Sequence, residues 1–431
     1  MNKNIFVVGF MLFAIFFGAG NLIFPPKLGL DSGADFSAAI FGFVVTGVGL
    51  PLLGIIVSAF YEGGYKQALN RIHPWFSVIF LMAIYLAIGP FFAGPRTGAT
   101  AYEMAILPFL GEASTLSLLV FTLIYFAIAL WLSLNPSKMV DRIGSILTPV
   151  LLISIIALVV KAYLLLNDAP DALVPVAKMD NAFANGILEG YFTMDALASL
   201  AFSVIVLNAI KAKVSNQAAL IKQTIAAGVI AAVALALIYV SLGWIGNNLP
   251  ISAETLADLN AKGQNIGTYI LNTAATQTFG GFGRMVLGII VSLACLTTTV
   301  GLAVSVSEYF NEIFPKIAYK TYVVLFILIS FAIANQGLSV VISKSVPVLL
   351  VLYPISMTVI LLLLVNLIVK LPLLAQRISV GLVTIVSILS VAGVEAVSQL
   401  PLKAYSMEWL PFALVGCVIG FVIAKVTNAK A

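Results

Sequence analysis

Apolar runs, most of them long enough to cross a hydrocarbon core as helices, follow one another along almost the whole chain, and that succession limits the fold more than any single motif. Crossing the core takes about 20 helical residues. In lipid every peptide N–H and C=O needs an internal partner, so only helices and closed barrels span it, and runs of this length select helices. About twelve spans are placed, at residues 5–28, 36–61, 75–98, 114–134, 143–166, 187–209, 222–246, 284–310, 319–337, 340–369, 378–396 and 408–425. Only 9% of residues are charged and mean hydropathy is +1.12, against about 25% charged in soluble domains. The expectation is a single all-α, polytopic membrane domain over residues 1–431. The run from Ile5 lacks a convincing small-residue cleavage motif and is read as the first span, not as a cleaved signal peptide.

Basic residues set the predicted orientation. One set of loops holds Lys66, Arg71, Lys138, Arg142, Lys211, Lys213, Lys222, Lys316, Lys320, Lys370 and Arg377, and both termini join it. That face is predicted to be cytoplasmic. The opposite loops carry Asp31, Asp35, Glu112, Asp168, Asp171, Asp180, Glu254 and Asp258 with fewer bases. The net charge of +5 is then a property of the cytoplasmic loops and implies no nucleic-acid partner. On the outer face, residues 167–186 read as a polar crossover, and 251–280 as a loop with a short helix capped by Ser252 and a Gly-rich end. His73 reads as a loop surface residue, and Cys295 and Cys417, both inside apolar runs, as packing residues without a disulfide or metal role.

Two spans are interrupted. "FFGAGNLIFPP" at 16–26 puts two glycines, an asparagine and a proline pair into the first, and "EGYFTMDALASLAFS" at 189–203 puts Gly190, Thr193, Asp195 and Ser199 into the sixth. Irregular backbone at membrane depth is tolerated only where protein or a polar cavity surrounds it. Paired interruptions five spans apart point to a transporter built from inverted repeats, here about 5–166 and 187–369, with extra helices at about 378–425. A broken helix offers free N–H groups to an anion and free carbonyls to a cation, and an amino acid presents both charges. The N–H groups of Ala19, Gly20 and Asn21 are predicted to receive a carboxylate, and carbonyls near Phe192 and Thr193 an ammonium. A third signal, "SLACLTTTVGLAVS" at 292–305, sets adjacent threonine hydroxyls where they could join carbonyls released at the first break in a neutral oxygen cage suited to Na⁺. Threonines in a span also serve packing or bond back to the previous turn.

"FMLFAIFFGAGNLIFPPKLG", "GPFFAGPRTGATAYE" at 89–103 and "EGYFTMDALASLAF" at 189–202 together resemble the branched-chain amino acid:cation symporters of bacteria, over essentially the whole chain. Those proteins in turn resemble the leucine-transporter-fold superfamily, five helices plus five inverted, with the first and sixth unwound at mid-membrane. The resemblance implies a secondary active symporter in a bacterial cytoplasmic membrane, taking up leucine, isoleucine or valine with Na⁺ by alternating access. It implies no cofactor beyond the coupling ion. "ACLTTTVG" is similar to the sodium-binding segment of neurotransmitter-type relatives, which implies a Na⁺ site of the Ala14, Phe17 and Ala294 carbonyls with the Thr297 and Thr298 hydroxyls, Thr299 facing elsewhere. The seventh span has no asparagine within 225–243, which weakens a second sodium site. Asp195 is an acid where those relatives carry a hydroxyl; an intramembrane acid is a functional candidate, toward the substrate ammonium, a proton or the broken helix itself.

Arg96 and Glu103 are expected to share a face near the outer end of the third span, as a snorkelling pair or an outer gate. Glu308, Glu312 and Lys316 are expected at an interface. Met82, Met194, Phe91 and Phe92 could line an apolar pocket but suit packing as well. A channel would need a ring of selectivity groups, and an enzyme a metal cluster, a nucleophile with its base, or paired acids; the sequence offers none of these. The remaining alternative is H⁺ coupling, or another small apolar amino acid or solute, on the same fold.

Overall fold

The protein, seen in a computed structural model that describes residues 3–134, 138–167, 179–211, 214 and 216–427, is helical throughout its described length. The first span is two helices, α1 (Lys3–Phe16) and α2 (Ala19–Ser32). The second is α3 (Phe36–Val44) and α4 (Leu50–Ala59), joined through a wide helical turn at Val45–Gly49. Then come α5 (Gly64–Ile72), the third span as α6 (Pro74–Leu86) and α7 (Ala93–Ala105), and the short α8 (Leu107–Leu110). Spans four and five are α9 (Thr115–Leu134) and α10 (Lys138–Leu166), and the sixth is split into α11 (Ala182–Tyr191) and α12 (Asp195–Lys211). After α13 (Gln217–Asn248) and α14 (Ala253–Ala261), α15 (Ile266–Ile313) bends at Gly280. The rest is α16 (Tyr319–Ala334), α17 (Leu338–Ile368), α18 (Leu373–Val391), the short α19 (Glu395–Ser398) and α20 (Trp409–Val426).

Among the described residues ten helical stretches are long and apolar enough to cross a membrane, and the shorter apolar helices Ile5–Phe16 and Tyr319–Ala334 complete the predicted spans. Leu116, Trp131, Ile153 and Leu237 stand fully outward, each more than 60% exposed. On a soluble protein such a belt would be an interaction patch; here it faces lipid.

Helices approach closely where glycine removes a side chain. The packing is reciprocal between halves. α2 lies against α13, where the Gly246 backbone meets the Pro26 carbonyl, and α11 lies against α3, where Gly186 meets the Ala39 carbonyl. Span one thus packs on span seven through both its parts, α1 and α2, and span six on span two through both of its parts, α11 on α3 and α12 on α4. A pseudo-two-fold that relates span one to six and span two to seven carries one of these pairings onto the other.

Several boundaries differ from the sequence reading. Pro25 and Pro26 lie inside α2 and do not mark its break, which falls at Phe17–Gly18. The third span is also interrupted, at Gly89–Phe92, and then continues to Ala105, seven residues past the predicted end. Its turn has a non-helical Gly89 beside Pro90, which has no N–H to give. Between spans two and three the expected loop holds the amphipathic α5. At 251–280 the Ser252 cap forms, its side chain accepting from Thr255 N–H, but two helices follow, not one, because the Gly-rich stretch bends α15 at Gly280 (φ 69°) without ending it. Most of the polar crossover at 167–186, with Asp168 and Asp171, lies outside the described residues, as does Lys213.

Candidate functional site

Unwinding at the first break begins with one hydrogen bond. Gly18 N–H donates to Asn21 Oδ1 (2.9 Å), so the helical bond that would have closed on the Ala14 carbonyl is not made. α1 ends with free carbonyls and α2 starts with the free N–H groups of Ala19, Gly20 and Asn21. At the sixth-span break Thr193 Oγ1 donates to the Gly190 carbonyl (2.8 Å), and Met194 takes a left-handed backbone (φ 71°) that β-carbon-bearing residues seldom adopt. α12 then starts at Asp195, a carboxylate in the first turn where the helix end is positive.

The two breaks face each other. A β-carbon on Gly20 would lie 3.4 Å from Thr193 Cα. Asn21 Nδ2 donates to Asp195 Oδ2 and to Tyr239 Oη, and Tyr239 O–H reaches Asp195 Oδ2 at 3.4 Å. Asn21 and Asp195 are 1% and 4% exposed. Asp195 therefore joins spans one, six and seven through hydrogen bonds. Tyr239 has no motif around it, and a single tyrosine among apolar residues reads as packing; only its position opposite Asn21 reveals it.

Arg96 is the main correction. It was expected at the outer end of its span with Glu103; it lies in the protein core, 2% exposed. Its Nη1 donates to the Phe192 carbonyl (2.7 Å), its Nη2 lies 3.5 Å from Ser345 Oγ, and its guanidinium covers the Phe24 ring at 5.1 Å. The Phe192 carbonyl, expected to meet an ammonium, accepts from this resident cation. Glu103 is engaged elsewhere, accepting from Thr268 O–H (2.5 Å) and Asn265 N–H (3.2 Å) at the start of α15. Among the described residues no carboxylate comes within ion-pair distance of Arg96, and no lysine or arginine within that distance of Asp195.

The threonine triplet divides by face. Thr299 is buried, sharing hydroxyl contacts with Thr97 (2.5 Å) and Tyr125 (2.8 Å), and so ties α15 to α7 and α9. Thr298 turns to the first break, its methyl 3.8 Å from where a β-carbon of Gly18 would stand. Both Thr297 and Thr298 donate to the Ala294 carbonyl, at 2.8 and 3.1 Å. Ala14 lies in the last turn of α1 and Phe17 directly after its end, next to Gly18. No cluster of three metal-ligating acids, cysteines or histidines occurs among the described residues. A cation here would meet neutral oxygens.

The remaining candidates take ordinary places. Lys27 of α2 pairs with Asp31 (2.6 Å) and with Glu189 of α11 (3.4 Å), linking the two broken spans at one end. Glu312 pairs with Lys66. His73 is exposed, Cys295 is buried, and Phe91, at the interruption of the third span, is 38% exposed. Met194 is buried at the sixth-span break itself.

A family model described as branched-chain amino acid transport protein matches residues 1–427. A relative from Staphylococcus saprophyticus subsp. saprophyticus, named as a branched-chain amino acid carrier protein, is 53% identical over 439 residues, covering 100% of this chain and 98% of its own length. Carriers of the same description from Staphylococcus haemolyticus and Staphylococcus aureus are 54% and 52% identical, covering 99% and 98% of this chain and 98% and 97% of their own. Among solved structures, MHP1, a nucleobase-cation-symport-1 family transporter in a closed conformation with bromovinylhydantoin bound, matches with a TM-score of 0.62 at 15% identity, over 98% of this chain and 93% of that one. A manganese transporter of Eremococcus coleocola matches at 0.58 and 11%, over 96% and 94%. These likenesses show the fold, which is the predicted leucine-transporter type of five spans, five inverted and two added.

Proposed function

This chain belongs to the branched-chain amino acid transport protein family, and on that premise we propose that it is a secondary active symporter taking up leucine, isoleucine and valine with Na⁺ by alternating access. It is a carrier and not an enzyme. The observation that carries the reading is the pair of facing helix breaks, which exposes backbone N–H groups and carbonyls at the centre of an otherwise apolar bundle. In this reading Ala19, Gly20 and Asn21 face the carboxylate, and Thr193 and Asp195 lie toward the ammonium, the Phe192 carbonyl being held by Arg96. The Na⁺ ligands are the Ala14, Phe17 and Ala294 carbonyls with the Thr297 and Thr298 hydroxyls. What supports this set is the unbonded Ala14 carbonyl and the approach of Thr298 to Gly18. Both termini lie on the cytoplasmic side of a bacterial plasma membrane, where the basic loops gather. Alternating access is supported by the fold, whose neighbour MHP1 is solved both closed and inward-facing.

Purified protein in liposomes is expected to accumulate leucine when Na⁺ is supplied outside and not when choline replaces it. Equal uptake in both, driven by a pH gradient, would establish H⁺ coupling in its place. The threonine triplet gives a finer test. Thr298→Ala is expected to raise the Na⁺ concentration for half-maximal uptake about tenfold, the loss of about 1.4 kcal/mol of binding. Thr299→Ala strips partners from two buried hydroxyls and is expected to cost about 1–3 kcal/mol of stability, with Na⁺ dependence nearly unchanged. Uptake against Na⁺ concentration, with thermal unfolding in detergent, separates the two; equal behaviour would overturn the assignment of the faces.

A further inference from the structure

A buried guanidinium with no salt-bridge partner is among the most costly groups a membrane protein can carry. Arg96 has five N–H donors, yet among the described residues only the Phe192 carbonyl and, at the limit of reach, Ser345 accept from it, and its buried Nε finds no partner among them. Its position is specific. A β-carbon on Gly20 would lie 3.0 Å from Arg96 Nη1, so the guanidinium lies over the first turn of α2, where the N–H groups of Ala19, Gly20 and Asn21 are unpaired. A helix N-terminus and a guanidinium favour the same ligand, an anion with two or more acceptor oxygens.

The next residue along, Asn21, holds the opposite charge through its bond to Asp195. Positive and negative groups are thus set against neighbouring residues of one helix turn, each without a salt-bridge partner among the described residues. A zwitterion complements that arrangement; a hydrocarbon or a simple cation does not.

We propose that Arg96 is the residue that recognises the α-carboxylate of the substrate, so that the carrier selects amino acids that keep a free carboxyl group. This rests on the amino-acid transport reading and adds to it a side chain from the third span. The Phe192 carbonyl then holds the guanidinium in place, and the bidentate face of the fork is the part that meets the carboxylate. Asp195 meets the ammonium.

Binding of radiolabelled leucine to the purified protein, at about pH 6 where an α-amine is protonated, is competed with leucinamide, which lacks the carboxylate, and with 4-methylpentanoate, which lacks the ammonium. Wild-type protein is expected to prefer leucine to leucinamide by about 30-fold or more. Arg96→Gln, which can still donate to the Phe192 carbonyl, should shrink that preference to within a few-fold, and Arg96→Lys should restore part of it. Asp195→Asn should keep the leucinamide preference and lose that against 4-methylpentanoate. A wild-type protein that binds leucine and leucinamide equally overturns the proposal whether or not any variant folds. So does an Arg96→Gln protein that binds leucine and discriminates as wild type does. Wild-type protein that binds no leucine at all would instead overturn the transport reading on which the proposal stands.

Discussion

Asp195→Asn is expected to weaken leucine binding by roughly 30-fold to several thousand-fold, the equivalent of about 2–5 kcal/mol for removing one charge from a buried hydrogen-bonded pair. The substitution keeps the shape. An asparagine oxygen at this position can still accept from Asn21 Nδ2 and Tyr239 O–H, so the contacts among spans one, six and seven persist while the charge is lost. Thermal unfolding should therefore move little. A cap role would behave otherwise, because a carboxylate that only anchors the first turn of α12 stabilises the helix end and has no reason to set substrate affinity. Equilibrium leucine binding to the folded Asn variant decides the matter, with unchanged affinity excluding direct contact. Tyr239→Phe supplies the comparison, since it removes the hydroxyl bonded to the same carboxylate without touching the charge.

The breaks were legible in the sequence because backbone hydrogen bonding in lipid leaves few reasons for "FGAGN" or "YFTMD" inside a span. The family likeness was legible for the same reason, since those motifs carry it. Arg96 was misplaced for a physical reason too. An arginine after Pro95 near a predicted span end at residue 98 reads as snorkelling, but the interruption at Gly89–Phe92 restarts the helix and carries the span to Ala105. Seven further residues are about 10 Å of helix, enough to move the guanidinium from the interface to the core. Its partner carbonyl lies 96 positions away along the chain, and nothing local could announce it. Thr299 differs: its neighbours in the triplet look the same, and only the helical turn decides which hydroxyl meets Thr97 and Tyr125.

Close packing gives the other large effect, and it falls on a residue with no polar atom in its side chain. Adding a β-carbon at Gly246 would place it 1.9 Å from the Pro26 carbonyl oxygen and 2.6 Å from the carbonyl carbon, both backbone atoms that no rotamer change can move. α2 and α13 would have to separate. That contact is pinned on the same face by Asn247, whose Nδ2 donates to the Gly29 and Gly33 carbonyls at 2.9 and 2.8 Å, so α2 cannot simply slide. Displacing α2 moves Gly20 and Asn21 at its other end, and a misplacement of about 1 Å at a positioned group costs on the order of 100-fold in rate. Gly246→Ala is therefore expected to lower leucine transport by about that factor and to reduce the yield of folded protein. Gly301→Ala is the matched control: it lies in the same kind of span, with open space where its β-carbon would go, and alanine favours a helix over glycine by about 1 kcal/mol. Transport by the Gly301 variant should stay within about twofold of wild type, with equal or higher unfolding temperature. If both variants transported alike, the approach of α2 to α13 would not govern the geometry of the break.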